Sequence, residues 1–181
     1  MYYSKATGGF YDPTIHGANM PPDVREISRE QHAALMQGQA EGKQIVADSE
    51  GRPVLQDRPA PTHTEAAAIM WERIKAHREH RTLTGGYQVA GSWFHSDTFS
   101  RTQQVGLVLM GAGMPAGIKW KTMSGSFVNM SPQLAQQVLA AAAAQDDATF
   151  KAAEAHRQAM EALPNPMAYD FSAGWPMVFG E

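Results

Sequence analysis

The sequence contains no cysteine. A disulfide framework, a thiolate nucleophile and thiolate metal ligation are therefore excluded, and the composition suits a reducing compartment. Charge is also scarce: Asp, Glu, Lys and Arg make up 18% of the 181 residues, somewhat below the usual quarter. The net charge is −3 and is spread along the chain. That leaves no basic field of the kind that draws a protein to nucleic acid. No apolar run approaches the ~18 residues of a membrane span; the longest small-apolar run, Leu139 to Ala144, is mostly alanine. Met1 to Tyr11 is aromatic and polar, without the basic-then-apolar order of a secretory leader. Neither nucleic acid nor membrane is an expected partner.

What is present is enough for a core, with 43% hydrophobic residues in a length that suits one ordinary domain or two small ones. The 11 methionines are read as core filling more than as an adaptable binding surface. Tyr2 to Lys5 and Gly9 to Tyr11 are short β-prone runs that read as a hairpin. Asp12-Pro13 ends the second strand, because proline has no ladder donor. Asn19 to Asp23 reads as a loop and Val24 to Ile27 as a short strand. Ser28-x-x-Gln31 is a capping box. The helix it opens should pack Gln31, Ala34 and Leu35 and stop near Gly38 or Gly42. Gln44 to Ala47 and Pro53 to Gln56 form a second hairpin around Ser49-Glu50-Gly51-Arg52.

Asp57 to Thr62 carries Pro59 and Pro61, which resist helix and sheet and favour a stiff connector. Thr62-x-x-Glu65 is another capping box, opening a helix to about Arg81 with an apolar stripe of Ala67, Met70, Trp71 and Ile74; Gly85-Gly86 ends it. Tyr87 to Val89 and Ser92 to Phe94 form a tight hairpin. Ser96 or Asp97 caps a helix to about Met110. Ile118 to Thr122 and Ser126 to Met130 form a further hairpin, and Ser131-Pro132 starts the last helix. That helix offers Leu134, Val138, Ala141, Ala142, Phe150, Ala153 and Met160 for packing. Asp146-Asp147 is a candidate break, since aspartate favours caps over interiors. Pro164-Asn165-Pro166 stops the helix, and an extended aromatic tail follows.

The opening third, with Tyr2-Tyr3-Ser4-Lys5, Gly8-Gly9-Phe10-Tyr11, Ile15-His16-Gly17, Ser28 to Leu35 and Gly51 to Leu55, resembles the N-terminal part of phage tail fibre assembly proteins. Gly86 to Val89, Trp93 to Asp97, Ser100-Arg101, Trp120-Lys121 and Phe127-Val128 resemble an uncharacterised domain common in phage proteins. Gly174-Trp175-Pro176 is similar to the Trp-Pro tails of fibre assembly proteins. The resemblance implies a chaperone that binds the distal, receptor-binding end of a fibre in the cytoplasm of the bacterial host and assists its folding and trimerisation. It brings no catalytic residues, cofactor or metal.

Other chemistry is weaker at each place it can be drawn. His95-Ser96-Asp97 sets three triad residue types side by side, but a triad needs them converging in space, and a helix cap explains them. His77 and His80 share a helix face, but the surrounding Arg73, Lys75, Arg78 and Arg81 disfavour a metal ion; a solvated basic face explains them. Gly111-x-Gly113 lacks the lysine of a phosphate loop. Scattered carboxylates such as Asp97 and Asp170 permit a glycosidase reading only if two carboxyls face each other across a cleft.

The fold expected is thus α+β: a small N-terminal antiparallel sheet with one helix, then a helix-hairpin-helix-hairpin-helix domain. The divisions expected are residues 1–58 for the β-rich part, 59–63 for a Pro-rich linker, 64–163 for the α+β part with its long last helix, and 164–181 for the tail. Consecutive tyrosines on a strand point to opposite faces, and one helix cannot cover both faces of so small a sheet. Tyr2, Tyr3, Phe10, Tyr11, Ile15 and Trp175 are therefore the expected partner-binding residues. The partner implied is the tail fibre, with self-association left open. A structural tail-tip protein or adhesin retained on the phage or tailocin particle is the alternative.

Overall fold

The computed structural model describes residues 1–181. The chain is α+β, and it forms two compact units, Met1–Ala60 and Pro61–Glu181.

In the first unit β1 (Tyr2–Tyr3) lies between β2 (Phe10–Tyr11) and β3 (Arg25–Glu26), both antiparallel to it. Tyr2 faces Tyr11 and Glu26 across the sheet, and Tyr3 faces Phe10 and Arg25. After β2 the chain makes one helical turn, α1 (Pro13–His16). Asp12 caps it by accepting from the Thr14 amide at 2.9 Å, and Pro13 sits at the first helical position, where a missing N–H costs nothing. Asp23 ties the following loop to the first hairpin, accepting from Ser4 Oγ and from the Ala6 amide, each at 2.8 Å. Those bonds, with the Ala6 amide first, hold its carboxyl below the usual range.

The Ser28–Gln31 capping box is formed on both sides and opens α2 (Arg29–Ala40). The helix runs through Gly38 and ends at Ala40, just before Gly42 at φ +96°, the second of the two expected stops. Gly38 is a packing position instead, since a Cβ there would run into the Leu55 side chain. The buried face is consequently Leu35 and Gly38, one turn apart, while Gln31 and Ala34, expected on that face, are exposed. β4 (Gln44–Ala47) and β5 (Pro53–Gln56) pair with Ile45 opposite Leu55. The Asp48 carboxylate closes their turn by accepting from the Glu50 and Arg52 amides. The core of this unit is Tyr3, Ile27 and Leu35, joined by Met1, Phe10, Ile45, Ala47 and Leu55.

The second unit is built on three helices. α3 (His63–Thr84) begins at the Thr62–Glu65 capping box and ends at Gly85. β6 (Tyr87–Val89) and β7 (Ser92–Phe94) form a hairpin. α4 (Thr98–Met110) is capped by Asp97. After a 3-10 turn at Gly111–Gly113 comes a second hairpin, β8 (Lys119–Lys121) with β9 (Phe127–Asn129). α5 (Pro132–Glu161) is one unbroken helix. No break occurs at Asp146-Asp147 because both side chains are engaged away from the backbone. Arg101 grips Asp146 with two bonds, at 2.6 and 2.8 Å, and Lys151 holds Asp147 at 2.7 Å.

One core packs the hairpins onto α4 and α5 through Tyr87, Phe94, Leu107, Met130, Ala135, Val138 and Ala142. A second joins α3 and α5 through Met70, Ile74, Ala153 and Met160. Arg101 links the helices: besides Asp146 on α5 it donates to the carbonyls of Ser96 and Thr82. Gly86 makes the sharp entry into β6 with φ +70°; a Cβ there would meet Met123 Sδ at 2.3 Å and the Phe94 carbonyl at 2.8 Å. None of the helices is long and apolar enough to cross a membrane.

Candidate partner-binding surfaces

The first unit separates the four aromatics of its sheet by face. Tyr3 is 2% exposed and belongs to the core. Its ring lies 5.3 Å from Phe10, and Phe10 lies edge-on to His32 of α2 at 4.6 Å. Burial, with Asp23 nearby, pushes the Tyr3 hydroxyl pKa up. α2 and the β4–β5 hairpin thus cover this face from within the unit, and the Tyr3 ring is not offered to a partner in this conformation. The other face carries Tyr2 and Tyr11, which are half-buried. Tyr11 is held by Thr7 Oγ1 at 3.0 Å and by the His16 ring at 5.1 Å. Ile15, in the single turn of α1, is 78% exposed. Tyr2, Tyr11 and Ile15 therefore form the accessible part of the predicted set, with Phe10 at its margin.

The same unit offers a feature that pattern reading did not single out. A cleft of about 590 Å³ is lined by Glu26 of β3 and Ile27 after it, by Ala34 and Leu35 of α2, and by Pro53 to Leu55 of β5. β3 is an outer strand of one sheet, and β5 belongs to a two-stranded ribbon. Strands with an unpaired side accept additional strands unless blocked. The available signal in the sequence was the brevity of these strands, which leaves little backbone paired.

Trp175 sits elsewhere. The chain after Ala168 is neither helix nor strand, and it is docked along α3 and α5. The Trp175 ring lies between His77 of α3, at 4.9 Å, and His156 of α5, at 4.7 Å. Its Nε1–H donates to the Phe171 carbonyl at 2.6 Å. Arg81 fastens the end of the segment, donating to the Pro176 carbonyl at 2.6 Å and to both Glu181 oxygens at 2.8 Å. His156 shares a 2.8 Å hydrogen bond with the Tyr169 hydroxyl. Burial lowers the pKa of both imidazoles, and Arg81 and His80 lower that of His77 further. The structure thus assigns Trp175 an internal contact.

The remaining candidates are accounted for locally. Asp97 accepts from the Ser100 amide as the α4 cap, and Ser96 Oγ accepts from the Gly86 amide. His95, Ser96 and Asp97 therefore do not converge. His77 faces the aromatic tail while His80 is exposed and touches Thr84. Asp170 accepts from the Ser172 amide.

A family model described as "Domain of unknown function (DUF4376)" matches residues 65–173, most of the second unit. The chain is also 40% identical over 75 residues to the "Probable tail fiber assembly protein" of Shigella phage SfV; the match covers 41% of this chain and 45% of that relative, less than half its length. No solved structure matches. With well over half its length matched, the chain belongs to the family of the domain of unknown function DUF4376.

Proposed function

We propose that this protein is a tail fibre assembly chaperone that binds the distal end of a phage or phage-tail-like fibre and assists its folding and trimerisation. The observation that carries the reading is its 40% identity to a probable tail fiber assembly protein of Shigella phage SfV. Physical need supports it. Intertwined, β-rich fibre tips are dominated by non-local pairing, so they fold slowly and expose strand edges and apolar surface meanwhile. A small unit with unpaired strands beside an accessible aromatic face suits such a client, by shielding its edges or by pairing with them. The role is binding, without a catalytic step. It is carried out in the cytoplasm of the host.

The fibre-facing surface in this reading is Tyr2, Phe10, Tyr11 and Ile15, with Tyr3 supporting it from the core. Residues 1–58 form the client-binding domain, joined through residues 59–63 to the second domain. The test is co-expression with a candidate phage tail fibre gene. Tyr2→Ala/Tyr11→Ala/Ile15→Ala, which leaves the Tyr3 core intact, lowers the yield of soluble fibre trimer in this account. An undiminished yield with folded variant sinks the site. Stoichiometric protein on purified particles transfers the role to a retained tail-tip component.

A further inference from the structure

The second unit carries a groove that no part of its own chain occupies, about 630 Å³ between α4 and β8. α4 contributes Phe99, Leu107 and Met110, and β8 contributes Lys119, Trp120 and Lys121, with His95 at the end of β7. Phe99 is 72% exposed and Met110 52%, a large apolar outlay for a surface facing only water.

The backbone of β8 is half-used. The Met130 amide donates to the Ile118 carbonyl and the Thr122 amide to the Ser126 carbonyl. With Trp120 opposite Val128 between them, the alternation of an antiparallel ladder turns the N–H and C=O groups of Lys119 and Lys121 away from β9. The next group on that outer side, the Met123 amide, donates to the Trp93 carbonyl of β7 at 2.9 Å. The outer side of β8 therefore continues the line on which β7 and His95 lie, which is the side of the groove.

Two further observations indicate what fits. Both lysines are exposed, and neither takes part in a salt bridge or side-chain hydrogen bond. No acidic residue lines the groove, although the chain carries a net charge of −3. Gly106, in the middle of α4, also lines it, and a Cβ at that position would meet nothing within 4 Å. A mid-helix glycine weakens the helix, and this one has no packing reason inside the fold. What it provides is room for a chain approaching from outside.

We propose that this groove is a second client-binding site, which takes an extended segment of the fibre chain as an added strand on β8. The segment pairs with the backbone of Lys119 and Lys121, presents apolar side chains to Phe99, Met110 and Trp120, and places acidic side chains beside the two lysines. The identity of the client rests on the proposed function; the groove and its preference for an acidic, apolar strand rest on the geometry.

The experiment compares full-length wild type with Gly106→Leu, which fills the groove, and with Lys119→Glu/Lys121→Glu, which reverses its charge, each co-expressed with the candidate tail fibre. Hydrogen exchange is read across residues 115–130, and melting by circular dichroism checks the fold. The expected result is slower exchange of the Lys119 and Lys121 amides in the wild-type complex. Each variant, melting no lower than wild type, should bind the fibre about tenfold or more weakly. A wild-type complex that both variants match, without protection at Lys119 and Lys121, overturns the groove while leaving the chaperone reading standing. Wild type that captures no fibre overturns the chaperone reading and the fibre as occupant together. Protection that appears on self-association of the chain alone assigns the groove to a second copy and overturns the proposal.

Discussion

The two units solve the problem of a small core in opposite ways. The first, Met1–Ala60, relies on strands of two to four residues and one helix around Tyr3, Ile27 and Leu35. A unit of about 60 residues buries a low fraction of its surface and is marginal, and its short strands leave backbone unpaired. The second packs three helices of 22, 13 and 30 residues over two cores, tied together by Arg101, with Arg81 fastening the C-terminal segment to α3. The difference teaches where adaptability resides. Short strands on a small core make the first unit the adaptable one and three long helices make the second the rigid one, although the exposed rings Phe99, Phe127, Phe150 and Phe179 all belong to the second.

The sharpest way to break this contrast is to open each core by one side chain. Phe94 is fully buried, so Phe94→Ala should cost about 3–5 kcal/mol, read as a lowered melting midpoint of the second unit. Leu35→Ala should cost about 2–5 kcal/mol in the first. In a unit with so little core that is enough to unfold it, so backbone amide signals of residues 1–60 should collapse while those of α3 and α5 persist. Simultaneous loss of both sets of signals would show that the units are one cooperative structure.

Backbone approach is the next largest effect. Gly86→Ala forces a side chain into a left-handed φ of +70° and against the Phe94 carbonyl, and should destabilise by about 1–3 kcal/mol. Gly38→Ala meets no backbone, only the branched end of the Leu55 side chain, which can shift, and gains about 0.5–1 kcal/mol of helix propensity. Its net cost should therefore be smaller, about 1 kcal/mol or less. Urea melts of the two variants rank them, and a reversed order contradicts the rigid-versus-adaptable contrast.

The smallest effect concerns acid. His77 and His156, around Trp175, are held neutral below the ordinary histidine range, chiefly by burial. The unfolded chain then binds protons more readily, so stability is present above the unfolded value of about 6.5 and falls as pH drops through it. Between pH 7 and 5, tryptophan fluorescence and amide exchange should report loosening of residues 169–181 before the rest of the second unit. Trp175→Ala should abolish that early change.

Much of this contrast was legible in the residues. Both capping boxes formed, and α4 and the strands β4 to β7 took the spans their alternation and turn residues implied. These are local signals, carried by a few neighbouring side chains. What escaped was set by distant partners. The packed face of α2 was decided by Leu55, the continuity of α5 by Arg101, and the place of Trp175 by His77 and His156. The candidate surface divided in the same way. Alternation showed that Tyr2 and Tyr3 point apart, but which face is covered depended on α2 and the second hairpin. The β8 groove was invisible because Gly106 and Lys119 stand outside every motif and Lys121 belongs to one that carries no known role; only the fold brings them together.

The most direct measurement of the central claim is the amount of soluble fibre trimer recovered when a candidate tail fibre gene is expressed with and without this chain. The account predicts trimer that depends on the chain, with a recoverable complex of the two proteins. Fibre that folds equally well alone, with no complex formed, would contradict it.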